Sequence, residues 1–248
     1  MATIGVFDSG AGGLSVLREI RKILPDERFV YFADNANCPY GEKSAAFITD
    51  RARAITDILL GYGAEAVVVA CNTATGAAIS TLREEYLIPF IGMEPAVKPA
   101  ALLTQSGVIG VLATAGTLKA SKYLNTKGRF EDDVRIEEHV GKGFVELVES
   151  LDLDSEHTFE VVRESVEPLL AAGADNLVLG CTHYPFLRPV IERVCGPSVH
   201  IIDPAPAVAR QLLKVMRERG IAEADAEPGL TLLSSGSTEV LEKLVAKL

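Results

Sequence analysis

Two cysteines stand in matching positions, each directly after an apolar run. Cys71 ends "VVVAC" (67–71) and Cys181 ends "NLVLGC" (176–181). Polar residues follow both: Asn72 and Thr73 after the first, Thr182 and His183 after the second. A thiol donates a proton, and its thiolate accepts one. We interpret each run as a strand that carries its cysteine to the N-terminus of a following helix, where amides and dipole favour a thiolate.

The alternative for any one of these cysteines is a small buried hydrophobe, which is the usual place of a lone cysteine in a protein. Two cysteines in matching polar contexts favour acid/base chemistry instead. Cys38, in the loop "NANCPYG", and Cys195, before Gly196-Pro197, lack this context. We interpret both of these as structural or incidental.

A glycine-rich turn is the third element with chemical potential. In "FDSGAGGLSVL" (7–17), a strand ends at Asp8-Ser9 and a helix begins near Leu14, so the helix amides are placed to receive a carboxylate or phosphate. The alternative is a plain turn with Asp8 as the helix cap. The glycines do not match the G-x-G-x-x-G dinucleotide motif, and the chain has no P-loop motif.

Composition excludes several classes of protein. The chain has 248 residues, 48% hydrophobic and 23% charged, which is typical of a soluble globular protein. A net charge of -10 argues against a nucleic-acid or anionic-membrane partner and favours a small-molecule ligand. No apolar run is long enough to span a membrane, and the N-terminus lacks the pattern of a signal peptide. We therefore expect a cytoplasmic protein.

The cysteine and histidine spacings favour neither a metal nor a redox centre. In the cytoplasm the four cysteines are expected to stay reduced. No two of them have Cys-x-x-Cys spacing, and the four histidines form no H-x-x-x-H pattern. We predict that the protein binds no metal.

The apolar pattern predicts the fold class. Nine short runs read as strands, and segments of helical period separate them. The runs are "TIGVFD", "RFVYFAD", "AEAVVVAC", "PFIGM", "GVIGVLAT", "VRIEEHV", "NLVLGC", "VHIID" and "LTLLSS". This alternation predicts an α/β protein with parallel sheets, whose ligands bind beyond the carboxyl ends of the strands.

An internal echo predicts two similar halves. "ACNTAT" and "GCTHYP" are each followed by a helix, a strand and a proline-alanine segment. We expect two doubly wound, flavodoxin-like domains related by pseudo-twofold symmetry, with the active site in the cleft between them. The first would hold residues 1–94 plus 206–248, and the second residues 95–205.

Five motifs together resemble the glutamate racemases. They are "VFDSGAGGLSVL", "DNANCPYGEKS", "ACNTAT", "LATAGT" and "LGCTHYP", in the order found in that family. The resemblance covers most of the chain. It implies racemisation of glutamate without a cofactor, with D-glutamate supplied for peptidoglycan synthesis, and a homodimer.

The resemblance also implies residue roles. Racemisation removes the α-proton from one face of a carbon and returns a proton to the other, so two acid/base groups must flank that carbon. Cys71 would deprotonate the D-form with help from Asp8, and Cys181 the L-form with help from His183. The substrate-binding residues would be Asp8, Ser9, Tyr40, Gly41, Asn72, Thr73, Thr182 and His183. Tyr40-Gly41 would receive the side-chain carboxylate.

Three other functions compete with this one. A thiol-redox enzyme would form a disulfide between Cys71 and Cys181, although no Cys-x-x-Cys pair supports it. An amino-acid-binding module would not need two facing thiols. A sibling activity, aspartate racemisation or maleate isomerisation, is disfavoured by Thr182-His183 and Tyr40-Gly41, through the resemblance alone.

Some features stay open at the level of sequence. They are the oligomer geometry, and whether Glu149 or Glu146 assists Cys181. Whether a cell-wall precursor regulates the enzyme is also open. The chain begins almost directly at its first strand, so we expect it to lack the N-terminal extension of precursor-activated racemases.

Overall fold

Strands and helices alternate along the chain in the computed structural model, which describes residues 2–221 and 228–246. The strands are β1 (Thr3–Asp8), β2 (Arg28–Ala33), β3 (Ala66–Val69), β4 (Phe90–Gly92), β5 (Val108–Ala113), β6 (Arg135–Val140), β7 (Asn176–Gly180), β8 (His200–Ile202) and β9 (Gly229–Ser234). Each of the nine runs interpreted as strands contains one of these.

Helices connect successive strands along the chain, and α11 follows the last strand. They are α1 (Leu14–Ile23), α2 (Ala45–Gly61), α3 (Asn72–Glu85), α4 (Val97–Leu103), α5 (Ala115–Lys119), α6 (Ser121–Lys127), α7 (Phe144–Glu149), α8 (Glu156–Ala171), α9 (Arg188–Cys195), α10 (Ala205–Arg219) and α11 (Glu239–Val245). Short 3-10 turns form at Asn35–Asn37, Tyr40–Glu42 and Tyr184–Leu187. Among the described residues, no helix combines the length and apolar character that crossing a membrane requires.

The chain divides into two compact units. The first unit is Met1–Met93 with Ala205–Leu248, and the second unit is Glu94–Pro204. Each contains a parallel sheet, which confirms the predicted α/β class with two parallel-sheet domains.

The sheet of the first unit has the order β4-β3-β1-β2-β9, with every pairing parallel. Its central strand β1 is buried along its whole length, as expected for a strand covered on both faces. In the register, Asp8 pairs with Ala33, and Phe7 pairs with Val69. The residues that follow β1 and β3 therefore emerge at the same edge of the sheet.

The sheet of the second unit has the order β6-β5-β7-β8, again parallel throughout. Numbered within each unit, both sheets contain the strand order 2-1-3-4, which is the core of the flavodoxin-like arrangement. Ligands in such sheets bind where the order reverses, beyond the ends of the first and third strands. In the first unit those strands are β1 and β3, and in the second they are β5 and β7.

Candidate active site

Asp8 organises the turn that follows β1. Its side chain is fully buried, and its carboxylate accepts hydrogen bonds of 2.7 Å from the backbone N–H groups of Ser9 and Gly13. A Cβ at Gly13 would lie 2.8 Å from both Asp8 Cβ and Tyr31 Oη, so only glycine fits there without displacement. Asp8 thus sits rigidly at the predicted edge of the sheet.

Cys71 lies beyond the neighbouring strand β3 and caps helix α3. Its backbone is extended, its side chain is only 5% exposed, and its Sγ accepts a hydrogen bond of 3.4 Å from the N–H of Ala74. The same Sγ lies 4.0 Å from Ser9 Oγ. A sulfur at a helix N-terminus is stabilised as thiolate by the amides and dipole there.

Asn72 and Thr73 begin α3 directly after the thiol, and both are buried. Among the described residues, neither the Oδ1 nor the Nδ2 of Asn72 has a hydrogen-bond partner. A buried amide without partners costs about 1–3 kcal/mol, so such groups in native proteins need an explanation. A polar ligand beside Cys71 would supply it, because the amide both donates and accepts.

The 3-10 turn Tyr40–Glu42 contacts α3 in the same unit. The Tyr40 side chain is buried in the core cluster that also contains Cys71, and its hydroxyl donates a hydrogen bond to Asp34. Burial and this bond raise the pKa of the Tyr40 hydroxyl well above its usual range. The phenol is therefore occupied, and the first N–H groups of a 3-10 turn have no partner within the turn itself.

Cys181 follows β7 in the second unit, but its local structure differs from that of Cys71. The expected helix does not begin at Cys181; a 3-10 turn starts at Tyr184, and α9 starts only at Arg188. An α-helix capped by Cys181 would need the N–H of residue 185 to bond to the Cys181 carbonyl, and Pro185 has no N–H. The carbonyl instead accepts an i→i+3 bond of 3.2 Å from the N–H of Tyr184. The prediction that a helix N-terminus supports both thiols is correct for Cys71 and wrong for Cys181.

At Cys181 the group next to the thiol is the His183 side chain rather than a helix N-terminus. The two side chains are buried, and Cys181 Sγ lies 3.8 Å from His183 Nδ1. The other ring nitrogen, Nε2, lies 2.7 Å from Glu149 Oε1. In the tautomer that carries its proton on Nε2, the ring donates a hydrogen bond to Glu149, and Nδ1 can accept one from the thiol.

Glu149 is the last residue of α7, and glycines set the position of this helix. Gly143 precedes it with a φ of 78°, a left-handed conformation that favours glycine. A Cβ at Gly141 would lie 2.6 Å from Tyr184 Oη. The Tyr184 ring packs edge-on against Phe144 with centroids 4.9 Å apart. The turn after Cys181 and the helix carrying Glu149 are therefore locked together.

The remaining predicted residues lie near these two centres or outside them. Thr182 is buried directly after Cys181. Cys195 ends α9, and burial raises the pKa of its thiol to about 11, as expected of a structural cysteine. Cys38 is half-buried in the loop before the Tyr40 turn.

Two side-chain contacts of the structure carried no sequence signal strong enough to predict them. The sequence left the choice between Glu149 and Glu146 open, and the structure places Glu149 against His183. Arg51, which binds Asp34, lies inside an ordinary helical pattern. Nothing in its spacing marks it as different from other surface arginines.

Comparison with known proteins identifies the family of the chain. Residues 4–212 match the model of the Asp/Glu/Hydantoin racemase family. The chain belongs to this family. Racemisation at a carbon that bears hydrogen removes and returns a proton, which is chemistry that a thiol beside acid/base groups can perform.

Individual family members are similar along nearly the whole chain. Glutamate racemase from Ectopseudomonas mendocina is 49% identical over 98% of this chain and 93% of its own length. Glutamate racemase from Methylococcus capsulatus is 51% identical over 99% and 91%. The crystal structure of Escherichia coli glutamate racemase, in complex with L-glutamate and the activator UDP-MurNAc-Ala, has a TM-score of 0.88 at 36% identity, covering 99% of this chain and 94% of that one.

Proposed function

We propose that this protein is a glutamate racemase that interconverts L- and D-glutamate by direct proton transfer at the α-carbon, without a cofactor. Its similarity to glutamate racemases at about half of all positions, over nearly full length, supports this substrate. The observation that carries the mechanism is the pair of buried thiols at equivalent sheet edges, each beside its own polar partner.

Each thiol takes one direction of the reaction. Cys71 as thiolate removes the α-proton of D-glutamate while the Cys181 thiol donates to the opposite face, and the roles reverse for L-glutamate. Asp8 assists Cys71 through the turn that carries Ser9, which lies 4.0 Å from the thiol. His183 exchanges a proton with Cys181, and Glu149 fixes the orientation of the imidazole.

The α-proton is only weakly acidic, so the carbanion that develops requires preorganised donors. The Asn72 amide is buried next to Cys71 and has no partner among the described residues, so it is suited to hold the α-carboxylate. Ser9, Thr73 and Thr182 add hydroxyl and backbone donors at the same two edges. The loss of one such donor typically costs about 2.7–4 kcal/mol in the transition state.

The side-chain carboxylate of glutamate binds the Tyr40-Gly41 turn through backbone N–H groups. This assignment would separate glutamate from aspartate, whose side chain is one methylene shorter. In the cell, we infer that the enzyme is a cytoplasmic homodimer that supplies D-glutamate for peptidoglycan. A net charge of -10 disfavours nucleic-acid partners.

The deciding experiment follows the optical signal of L-glutamate with purified protein and no added cofactor. The circular dichroism signal is expected to decay to zero, and D-glutamate is expected to decay to the same endpoint from the opposite sign. Aspartate is the comparison substrate, and its circular dichroism signal should decay far more slowly than that of glutamate. A persistent glutamate signal would defeat the proposed activity, and faster loss with aspartate would defeat the choice of substrate.

A further inference from the structure

A buried ion pair lies behind the Tyr40 turn. Asp34 follows β2, and its side chain is fully buried. Arg51 reaches it from α2 with two parallel hydrogen bonds, Nε to Oδ2 at 2.9 Å and Nη2 to Oδ1 at 2.8 Å. This two-pronged arrangement holds a guanidinium and a carboxylate in one geometry.

The same carboxylate gathers the loop between β2 and α2. The Tyr40 hydroxyl donates to Asp34 Oδ2, and Asn37 Nδ2 donates to Oδ1 at 3.0 Å. Burial acts to raise the pKa of Asp34, but the hydrogen bonds from Arg51 and Tyr40 outweigh it, and the pKa lies below its usual value. Asp34 therefore remains an acceptor at neutral pH and ties the loop to α2.

The consequence for the substrate follows from the position of Tyr40. Its ring shares a core cluster with Cys71, and its turn contacts the helix that Cys71 caps. Because the phenol is bound to Asp34, the turn meets a ligand with its backbone. Backbone donors bind a carboxylate well only while the turn is held at a fixed distance from the reacting carbon.

We propose that Arg51 is a positioning residue for the distal carboxylate of the substrate, acting through Asp34 and the Tyr40 hydroxyl. This role rests on the proposed glutamate racemase function, because it concerns how that substrate is held. Arg51 donates its side-chain hydrogen bonds to Asp34. Its effect belongs to substrate binding rather than to proton transfer.

The first test replaces Arg51 with methionine, which keeps an unbranched stem as long as that of arginine up to Nε and removes the guanidinium. The KM values for L- and D-glutamate are expected to rise about tenfold, the equivalent of one good hydrogen bond, while kcat changes by less than about threefold. Arg51→Lys keeps the charge without the two-pronged geometry, so its KM should lie between wild type and Arg51→Met. The lysine variant carries the test if the methionine variant does not fold.

Arg53→Met is the matched control. Arg53 lies on the same helix but pairs with the exposed carboxylates of Glu85 and Asp50. Its replacement should leave KM and kcat unchanged. A KM increase in Arg53→Met equal to that in Arg51→Met would show a general effect of helix charge and overturn the positioning role.

A double-mutant cycle tests whether Arg51 acts through Tyr40. Tyr40→Phe removes the hydroxyl but leaves the Asp34–Arg51 pair. If Arg51 acts through the Tyr40 hydroxyl, the double variant should raise KM about tenfold, like each single variant. Independent effects would raise KM about a hundredfold. Thermal unfolding of every variant confirms that it is folded at the assay temperature.

The outcomes separate this role from the proposed function. Wild-type protein that does not racemise glutamate overturns both. Normal wild-type turnover with an unchanged KM in Arg51→Met and Arg51→Lys overturns the positioning role alone, as does a loss confined to kcat. Multiplicative KM effects in the cycle would show that Arg51 does not act through Tyr40.

Discussion

At the scale of single residues, local surroundings distinguish three of the four cysteines. Cys71 caps a helix, while Cys181 lies beside an imidazole with a carboxylate behind it. Cys195 is held in a helix end, where burial raises its pKa to about 11. The two candidate bases are therefore supported by different physical means, an amide-rich helix terminus for one and a titratable side chain for the other.

Serine substitution tests this division among the cysteines. Cys71→Ser and Cys181→Ser are each expected to lower kcat in both directions by about 100-fold or more, because a hydroxyl is a far weaker acid than a thiol. Cys195→Ser, at the buried end of α9, is the control and should retain turnover. Loss of activity in a folded control variant would show that the roles are assigned to the wrong residues.

The His183–Glu149 pair predicts a directional effect. His183→Ala should lower kcat by about tenfold or more for L-glutamate, for which Cys181 is the base, and by a different factor for D-glutamate. The values of kcat/KM must fall equally, because the enantiomers have equal free energy in water. Glu149→Gln should act in the same sense but more weakly. Progress curves from each enantiomer measure these constants, and equal loss in both kcat values would instead assign His183 to substrate binding.

Candidate acid/base groups are easier to propose from the sequence than the partners that hold them. Apolar runs end at or just before the two thiols, Asp8 and His183. This position can be recognised from the sequence alone. The Asp34–Arg51 contact joins a strand end to a helix face, and only the folded chain brings them together. The choice of Glu149 over Glu146 depends likewise on where α7 ends.

At the scale of elements, the apolar pattern predicted the strands better than the turns. The apolar runs predicted all nine strands because parallel strands buried on both faces are nearly continuous in hydrophobicity. They did not predict the 3-10 turn after Cys181. There Pro185 has no N–H for the α-helical bond to the Cys181 carbonyl, and the chain makes a 3-10 turn instead.

Gly13→Ala tests the close packing of the turn after β1. The added methyl would lie 2.8 Å from Asp8 Cβ and Tyr31 Oη, so the turn must shift, at about 1–3 kcal/mol of unfolding free energy. Turnover should fall as well, because Asp8 moves with the turn. Denaturant unfolding and initial rates measure both effects.

Gly61→Ala is the matched control for this substitution. Gly61 ends α2, and a Cβ there would meet nothing within 4 Å. Alanine is the better helix former by up to about 1 kcal/mol, so stability should be unchanged or higher and activity unchanged. Normal stability and turnover in Gly13→Ala would contradict the packing that we assign to Asp8.

At the scale of the whole molecule, two units with the same core strand order each contribute one thiol at the same topological position. The net charge of -10 opposes an anionic substrate at long range, so attraction must come from local donors such as the buried Asn72 amide. The order of strands within each sheet, and the pairing of β9 with β2, could not be read from periodicity, because apolar runs do not specify their neighbours.

The contribution of one thiol from each unit is tested by the isotope that product carries. Starting from L-glutamate in heavy water, Cys181 takes the α-proton while Cys71 delivers a deuteron already exchanged from solvent. The first D-glutamate formed should be deuterated, and the L-glutamate that remains should stay protiated. The reverse reaction from D-glutamate should give the mirror result.

A single base serving both faces would carry the original proton across and give protiated product in early turnovers. Mass spectrometry of the separated enantiomers, after a few per cent conversion, distinguishes the two mechanisms. Solvent deuterium must therefore enter the product faster than it enters the starting enantiomer. Substantial protium in the first D-glutamate would sink the assignment of Cys71 and Cys181 as two independent acid/base groups, even if both serine variants were inactive.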